Sequence, residues 1–205
     1  MTTQLLLIRH GESTWNAESR IQGQADPPLS ELGRRQAAAL GRRLSDLASA
    51  ALYTSPAVRA RETSEAIAEP HGLIPRIEPA LLEVHLGSWQ GHRVSELSDE
   101  ETAQFRAWER DPTALSPPGG ETTSAALERV APLLDRLLGN HAGDTVVIVT
   151  HSILGRVALS YLLGTGIQLV PRLRIKKASI TKLRVQREMA ILERLSDTSH
   201  LRSLS

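Results

Sequence analysis

Leu5-Leu6-Leu7-Ile8-Arg9-His10-Gly11-Glu12-Ser13 decides the fold. Four apolar residues run directly into an arginine, a histidine, a glycine and a glutamate. Such an unbroken run reads as a strand buried on both faces, and open α/β sheets gather their ligands at the carboxyl ends of such strands. Val146-Val147-Ile148-Val149-Thr150-His151 repeats the arrangement, with a helix-like segment after it. Two histidines are therefore expected at two strand ends.

Outward from the first run, residues 11–24 read as a loop with at most one helical turn. Ser30 caps a helix whose Leu32, Leu40, Leu44 and Leu47 share a face. Residues 51–54 form a short strand, and Ser55-Pro56 reads as N-cap and first helical position of a helix to about residue 69, with Arg59 in its first turn. A short strand is predicted near residues 76–78. Residues 86–118 resemble a small cap insertion, and its polar part from Arg93 to Pro118 reads as two short helices with Phe105 and Trp108 as its few large apolar side chains. Gly119-Gly120-Glu121 opens a long helix to residue 138, another helix follows at 153–163, and segments 178–186 and 189–195 form a hairpin. The polar tail 196–205 is expected to fray. This order specifies one α/β domain of three layers, a mostly parallel sheet with helices on both faces.

Composition narrows the function. The 205-residue chain suits a single core, and its net charge of +1 gives no reason to expect a nucleic-acid or membrane partner. It lacks cysteine, which excludes disulfides, thiolate metal sites and cysteine nucleophiles. No leader and no membrane-length apolar stretch is visible, so a soluble cytoplasmic protein is expected. Arginine greatly outnumbers lysine, which occurs only as Lys176, Lys177 and Lys182. Most of these arginines read as solvated helix faces, a minority as anion ligands.

Arg9 with His10, Arg59, and His151 can meet on one rim of the sheet. Guanidinium forks and helix N-termini suit a dianionic phosphate monoester. His10, held in a glycine turn beside an arginine, is the better nucleophile, provided a backbone carbonyl takes its Nδ1–H and leaves Nε2 free. A proton donor for the leaving group is still required, and the residues alone leave Glu12 and Glu83 open. A zinc site from His10, Glu83 and His151 is disfavoured by the adjacent arginines, and a serine-hydrolase elbow at Ser152 lacks its glycines. Trp15 and Trp108 are packing residues that can also line a pocket. The remaining histidines read as structural.

Arg9-His10-Gly11-Glu12-Ser13-Thr14-Trp15-Asn16 resembles the signature of the histidine phosphatase superfamily, in its phosphoglycerate mutase-like branch. Gln22-Gly23 with Asp26, Leu29-Ser30 and Gly33, then Ser55-Pro56-Ala57-Val58-Arg59-Ala60 with Thr63, Leu82-Glu83 with Gly87, Trp89 and Gly91, Gly120-Glu121-Thr122, and Val149-Thr150-His151 match further motifs in order. The resemblance implies phosphorylation at His10, a phosphoryl group held by Arg9, Arg59 and His151, and Glu83 as acid and then base. It also implies phosphate contacts from Asn16 and the Gln22-Gly23 backbone, with neither metal nor cofactor. Ser152 departs from the family's usual glycine. It can still cap the helix, and it is counted among the substrate-binding positions with a small change of pocket shape. Mutases of the family carry an insertion with adjacent arginines and a lysine, whereas residues 83–119 here hold only the separated Arg93, Arg106 and Arg110. The expectation is hydrolysis of small phosphorylated metabolites, with mutase activity as the alternative and a non-catalytic binding module behind both. A homodimer is one possible assembly.

Overall fold

The computed structural model describes residues 1–47, 50–186 and 189–204. The chain runs β1 (Thr2–Arg9), α1 (Thr14–Ala17), α2 (Glu31–Leu44), β2 (Ala50–Thr54), α3 (Val58–Ala68), β3 (Arg76–Ile77), α4 (Asp99–Arg110), α5 (Thr123–Asn140), β4 (Thr145–Thr150), α6 (Ser152–Leu162), β5 (Ile180–Gln186) and β6 (Met189–Asp197), with short 3-10 turns between. The sheet order is β3-β2-β4-β1-β5-β6. The first four are mutually parallel, and β5 and β6 are antiparallel additions at one edge.

Strand alternation separates two apolar layers, because successive side chains point to opposite faces. Leu5, Leu7, Val146 and Ile148 pack with Val130, Leu134 and Leu137 of α5 and Leu154 and Val157 of α6. Leu6, Ile8, Val147 and Val149 pack with Leu40 and Leu44 of α2 and Ala60 and Ile67 of α3. The β1 and β4 runs are apolar on both faces because each strand serves two layers.

Several local readings need correction. Ala57, not Ser55, is the N-cap of α3, and it makes no side-chain cap bond. The long helix starts at Thr123 with Thr122 as its cap, so Glu121 precedes it and pairs with Arg129 at 2.7 Å. His151, not Ser152, is the N-cap of α6. Leu32 is only half-buried on α2, while Gly33 and Ala37 are buried. The tail does not fray over its described length. β6 continues to Asp197, a 3-10 turn covers Ser199–Leu204, and Leu201 packs against the α2–α3 layer. Phe105 and Trp108 are core residues of the α5–α6 layer, stacked around Trp89 with centroids 5.4 and 6.0 Å from its ring. No helix among the described residues is long and apolar enough to cross a membrane.

Register fixes what meets at the rim. Arg9 pairs with Thr150 and Thr54 with Val149, so His10, His151 and Ser55 leave three adjacent strands side by side. The turn after β1 then presses onto the first turn of α2. A Cβ on Gly11 would lie 2.7 Å from the Gly33 carbonyl oxygen, and one on Gly33 would lie 1.9 Å from that of Glu12. Only glycine permits this approach.

Candidate active site

His10 is 3% exposed, and its Nδ1 lies 2.6 Å from the carbonyl oxygen of Gly11. A carbonyl only accepts, so Nδ1 carries the proton and Nε2 keeps its lone pair. Nε2 accepts from Nε of Arg59 at 3.3 Å. The tight turn is itself tied down, since Gly11 N–H donates to Thr63 Oγ1, whose hydroxyl donates to the Arg59 carbonyl.

Arg59 enters from the first turn of α3 and is 1% exposed. Its other nitrogens donate to the carbonyls of Ala25 (2.7 Å) and Gly23 (2.9 Å). Burial pushes its pKa down to about 10, against the opposing field of Glu83. Arg9 donates to the carbonyl of Ile175 at 2.7 Å, while its buried Nε has no partner.

His151 is fully buried, and its ring centroid lies 5.1 Å from that of His10. Its Nε2 is 2.8 Å from Ser55 Oγ, which already accepts the Ala57 amide at 3.3 Å. The serine hydroxyl is thus placed to donate to Nε2, leaving the proton on Nδ1. That Nδ1 is buried and unpartnered. Orphaned donors on Arg9 and His151 beside an accepting His10 fit an anion better than a cation. Among the described residues, no three His, Cys, Asp or Glu side chains form a metal cluster.

Glu83 is delivered by the loop after β3. Its carboxylate accepts the amides of Ser152 (2.9 Å) and Ile153 (3.0 Å) on one oxygen, and those of Leu154 (2.9 Å) and Val84 (3.0 Å) on the other. The first turn of α6 therefore holds this side chain through its unpaired N–H groups. Glu12 goes elsewhere: it pairs with Lys177 at 2.6 Å and accepts from Ser30.

A cavity of about 250 Å³ brings together Arg9, His10, Asn16, Gln22, Gly23, Arg59, Glu83 and Ser152. His151, fully buried beside His10, is not among the residues that line it. Asn16 closes a capping box with Ser13, and the Ser13 hydroxyl donates to Gln22. Phe105 and Trp108 supply the apolar side, whereas Trp15 does not line it.

Four further residues shape the site although the sequence does not single them out as site residues. Ser55 orients His151. Gln90 Oε1 accepts from both Gln24 and Leu86 amides, clamping the Gly23 turn to the Glu83 loop. Arg129 donates to the carbonyls of Ala80, Leu82 and Glu83 and so fixes that loop. Arg156 lines the cavity from α6.

Both site histidines are held well below the ordinary 6.5, first by burial and then by Arg59, with Arg9 adding to the effect. The unfolded chain takes up a proton at each imidazole near pH 6.5, and the folded one does not. Their contribution to stability is therefore complete above that pH and is lost as pH falls, by up to about 1.4 kcal/mol per pH unit for each ring. Urea midpoints should be level from pH 8 to 7 and drop between 6.5 and 5. A flat profile through that window would contradict neutral imidazoles in the folded state.

The sequence profile of the histidine phosphatase superfamily (branch 1) matches residues 5–198. Phosphoserine phosphatase 1 of Hydrogenobacter thermophilus is 32% identical over 97% of this chain and 94% of its own length. The probable phosphoglycerate mutase GpmB of Klebsiella pneumoniae is 35% identical, with the same coverages of 97% and 94%. The native structure of a mycobacterial glucosyl-3-phosphoglycerate phosphatase superposes with a TM-score of 0.88 at 29% identity, over 97% of this chain and all of that one. With a profile match across nearly the whole length and relatives aligned end to end, the chain belongs to the histidine phosphatase superfamily, branch 1.

Proposed function

We propose that this chain is a metal-independent phosphomonoester hydrolase that works through a phosphohistidine at His10. The observation that carries the reading is the Nδ1–H bond to Gly11, which presents Nε2 as an unprotonated nucleophile to the cavity. Nε2 attacks phosphorus as the ester P–O bond breaks, and Glu83 gives its proton to the departing oxygen. Glu83 then takes a proton from water, whose oxygen attacks phosphorus and breaks the P–N bond, releasing orthophosphate. Arg9, Arg59 and the His151 Nδ1–H bear on the equatorial oxygens, where charge accumulates. Asn16, Gln22, the Gly23 backbone and Ser152 stand around the remaining oxygens.

Relatives named as a phosphoserine phosphatase and a glucosyl-3-phosphoglycerate phosphatase support hydrolysis of a small phosphorylated metabolite. A relative named as a probable phosphoglycerate mutase favours a second reading, in which a hydroxyl of another metabolite replaces water. The separated arginines between Glu83 and Gly119 favour water. An aryl phosphate assay in excess chelator should show full turnover, and phosphate release from phosphoglycerates should outpace their interconversion. Dependence on added divalent metal would overturn the first reading, and faster interconversion would establish the second.

A further inference from the structure

Arg156 is not needed by the steps above, yet it is built into the site. It lies one helical turn after Ser152, on the same face of α6. It is 6% exposed and lines both the 250 Å³ cavity and an adjoining basin of about 950 Å³. Its Nε is buried without a partner, and Nη1 makes one long bond, 3.3 Å to the carbonyl of Val170. Among the described residues it forms no ion pair. Burial has brought its pKa down to about 10, with Glu83 the opposing charge. A guanidinium desolvated in this way, with unused donors on a cavity wall, is stabilised by an incoming anion.

The basin beyond it continues the pattern. Arg174 and Lys176 follow on the chain segment after α6, and Arg110 ends α4; all three are exposed on its wall and without an ion pair among the described residues. Lys177 is taken by Glu12, and Glu109, the carboxylate on this wall, is paired with Arg106 at 2.8 Å. The cationic wall starts beside Ser152, whose amide holds Glu83, so it faces the side on which the leaving group receives its proton.

We propose that Arg156, supported by Arg174 and Lys176, forms a second anion subsite, and that the preferred substrate is a phosphomonoester carrying a further carboxylate or phosphate on its leaving group. The inference rests on the phosphatase reading and adds the substrate class to it.

The test compares kcat/KM for three esters of one skeleton: glycerol 3-phosphate, 3-phosphoglycerate, in which a carboxylate replaces the terminal hydroxymethyl group, and glycerol 1,3-bisphosphate. The full chain should prefer at least one anionic ester by about tenfold or more, the scale of a charge-assisted contact, and which one it prefers identifies the anion. Arg156→Met should bring the ratio to near one, and Arg156→Lys should keep part of it. A merely structural role would lower all three substrates together and leave the ratio intact. If Arg156→Met does not fold, the exposed pair Arg174→Ala/Lys176→Ala carries the same readout, with a smaller loss of preference. Equal use of the three esters by the unaltered chain, or a ratio that survives the substitutions, overturns the inference while the phosphatase reading stands. No turnover of these esters or of an aryl phosphate overturns both.

Discussion

His10→Ala is expected to lower turnover of any phosphomonoester by roughly 10⁴-fold or more, the scale seen when a covalent nucleophile is removed from an otherwise intact site. In the unaltered chain, a rapid quench with labelled substrate should trap a phosphoryl group that is stable to base and lost in acid, as expected of a phosphoramidate and not of a phosphoserine. The variant should trap none. Its cradle stays, because Arg59 keeps two carbonyl partners and Arg9 keeps its own. Orthophosphate should still bind, and that binding separates loss of the nucleophile from collapse of the site. His151→Ala should cost less, about 10²–10³-fold, because it removes one donor to the transferring group and leaves the covalent path open. Turnover in His10→Ala within tenfold of the original would exclude His10 as the nucleophile.

What the chain discloses before folding depends on how local the signal is. The β1 and β4 runs are readable because two-sided burial demands unbroken apolar residues, and each run stops where the rim begins. Arg59 is readable because Ser55-Pro56 marks a strand-to-helix corner. The same dipeptide misleads about Ser55 itself: a serine before proline looks like an N-cap, whereas its hydroxyl is spent on His151, 96 residues away in sequence. No local rule contains that contact. Glu83 and Glu12 are indistinguishable as isolated glutamates; only the resemblance singles out Glu83, and its seat on the α6 amides, about 70 residues away in sequence, is contained in no local rule. Arg129 and Arg156 are hidden for another reason. In a chain so rich in arginine, neither type nor spacing separates a guanidinium that clamps a loop or lines a cavity from one on a solvated helix face. The tail misleads because a polar stretch can be anchored by one side chain, here Leu201 against the α2–α3 layer, helped by His200 Nε2 at 3.0 Å from the Ala178 carbonyl oxygen.

The acid is the harder role to test, because Glu83 is also structural. Both carboxylate oxygens accept backbone amides, so Glu83→Gln places an NH₂ group against N–H donors and cannot reproduce the original seat. A fall in rate alone would therefore prove nothing about proton transfer. The dependence on the leaving group does. A nitrophenolate departs without a proton, whereas an alkoxide requires one, so loss of a general acid should cost alkyl esters about 10²–10⁴-fold and aryl esters much less. Displacement of the α6 turn would instead penalise both classes equally. The acid role requires Glu83 to hold a proton when the ester P–O bond breaks, and Glu83 regains that proton from the attacking water in the second step. With Glu83→Gln, the plot of log kcat/KM against leaving-group acidity should therefore steepen. An unchanged slope would remove Glu83 from the acid role and leave it as the side chain that seats α6 against the phosphoryl cradle.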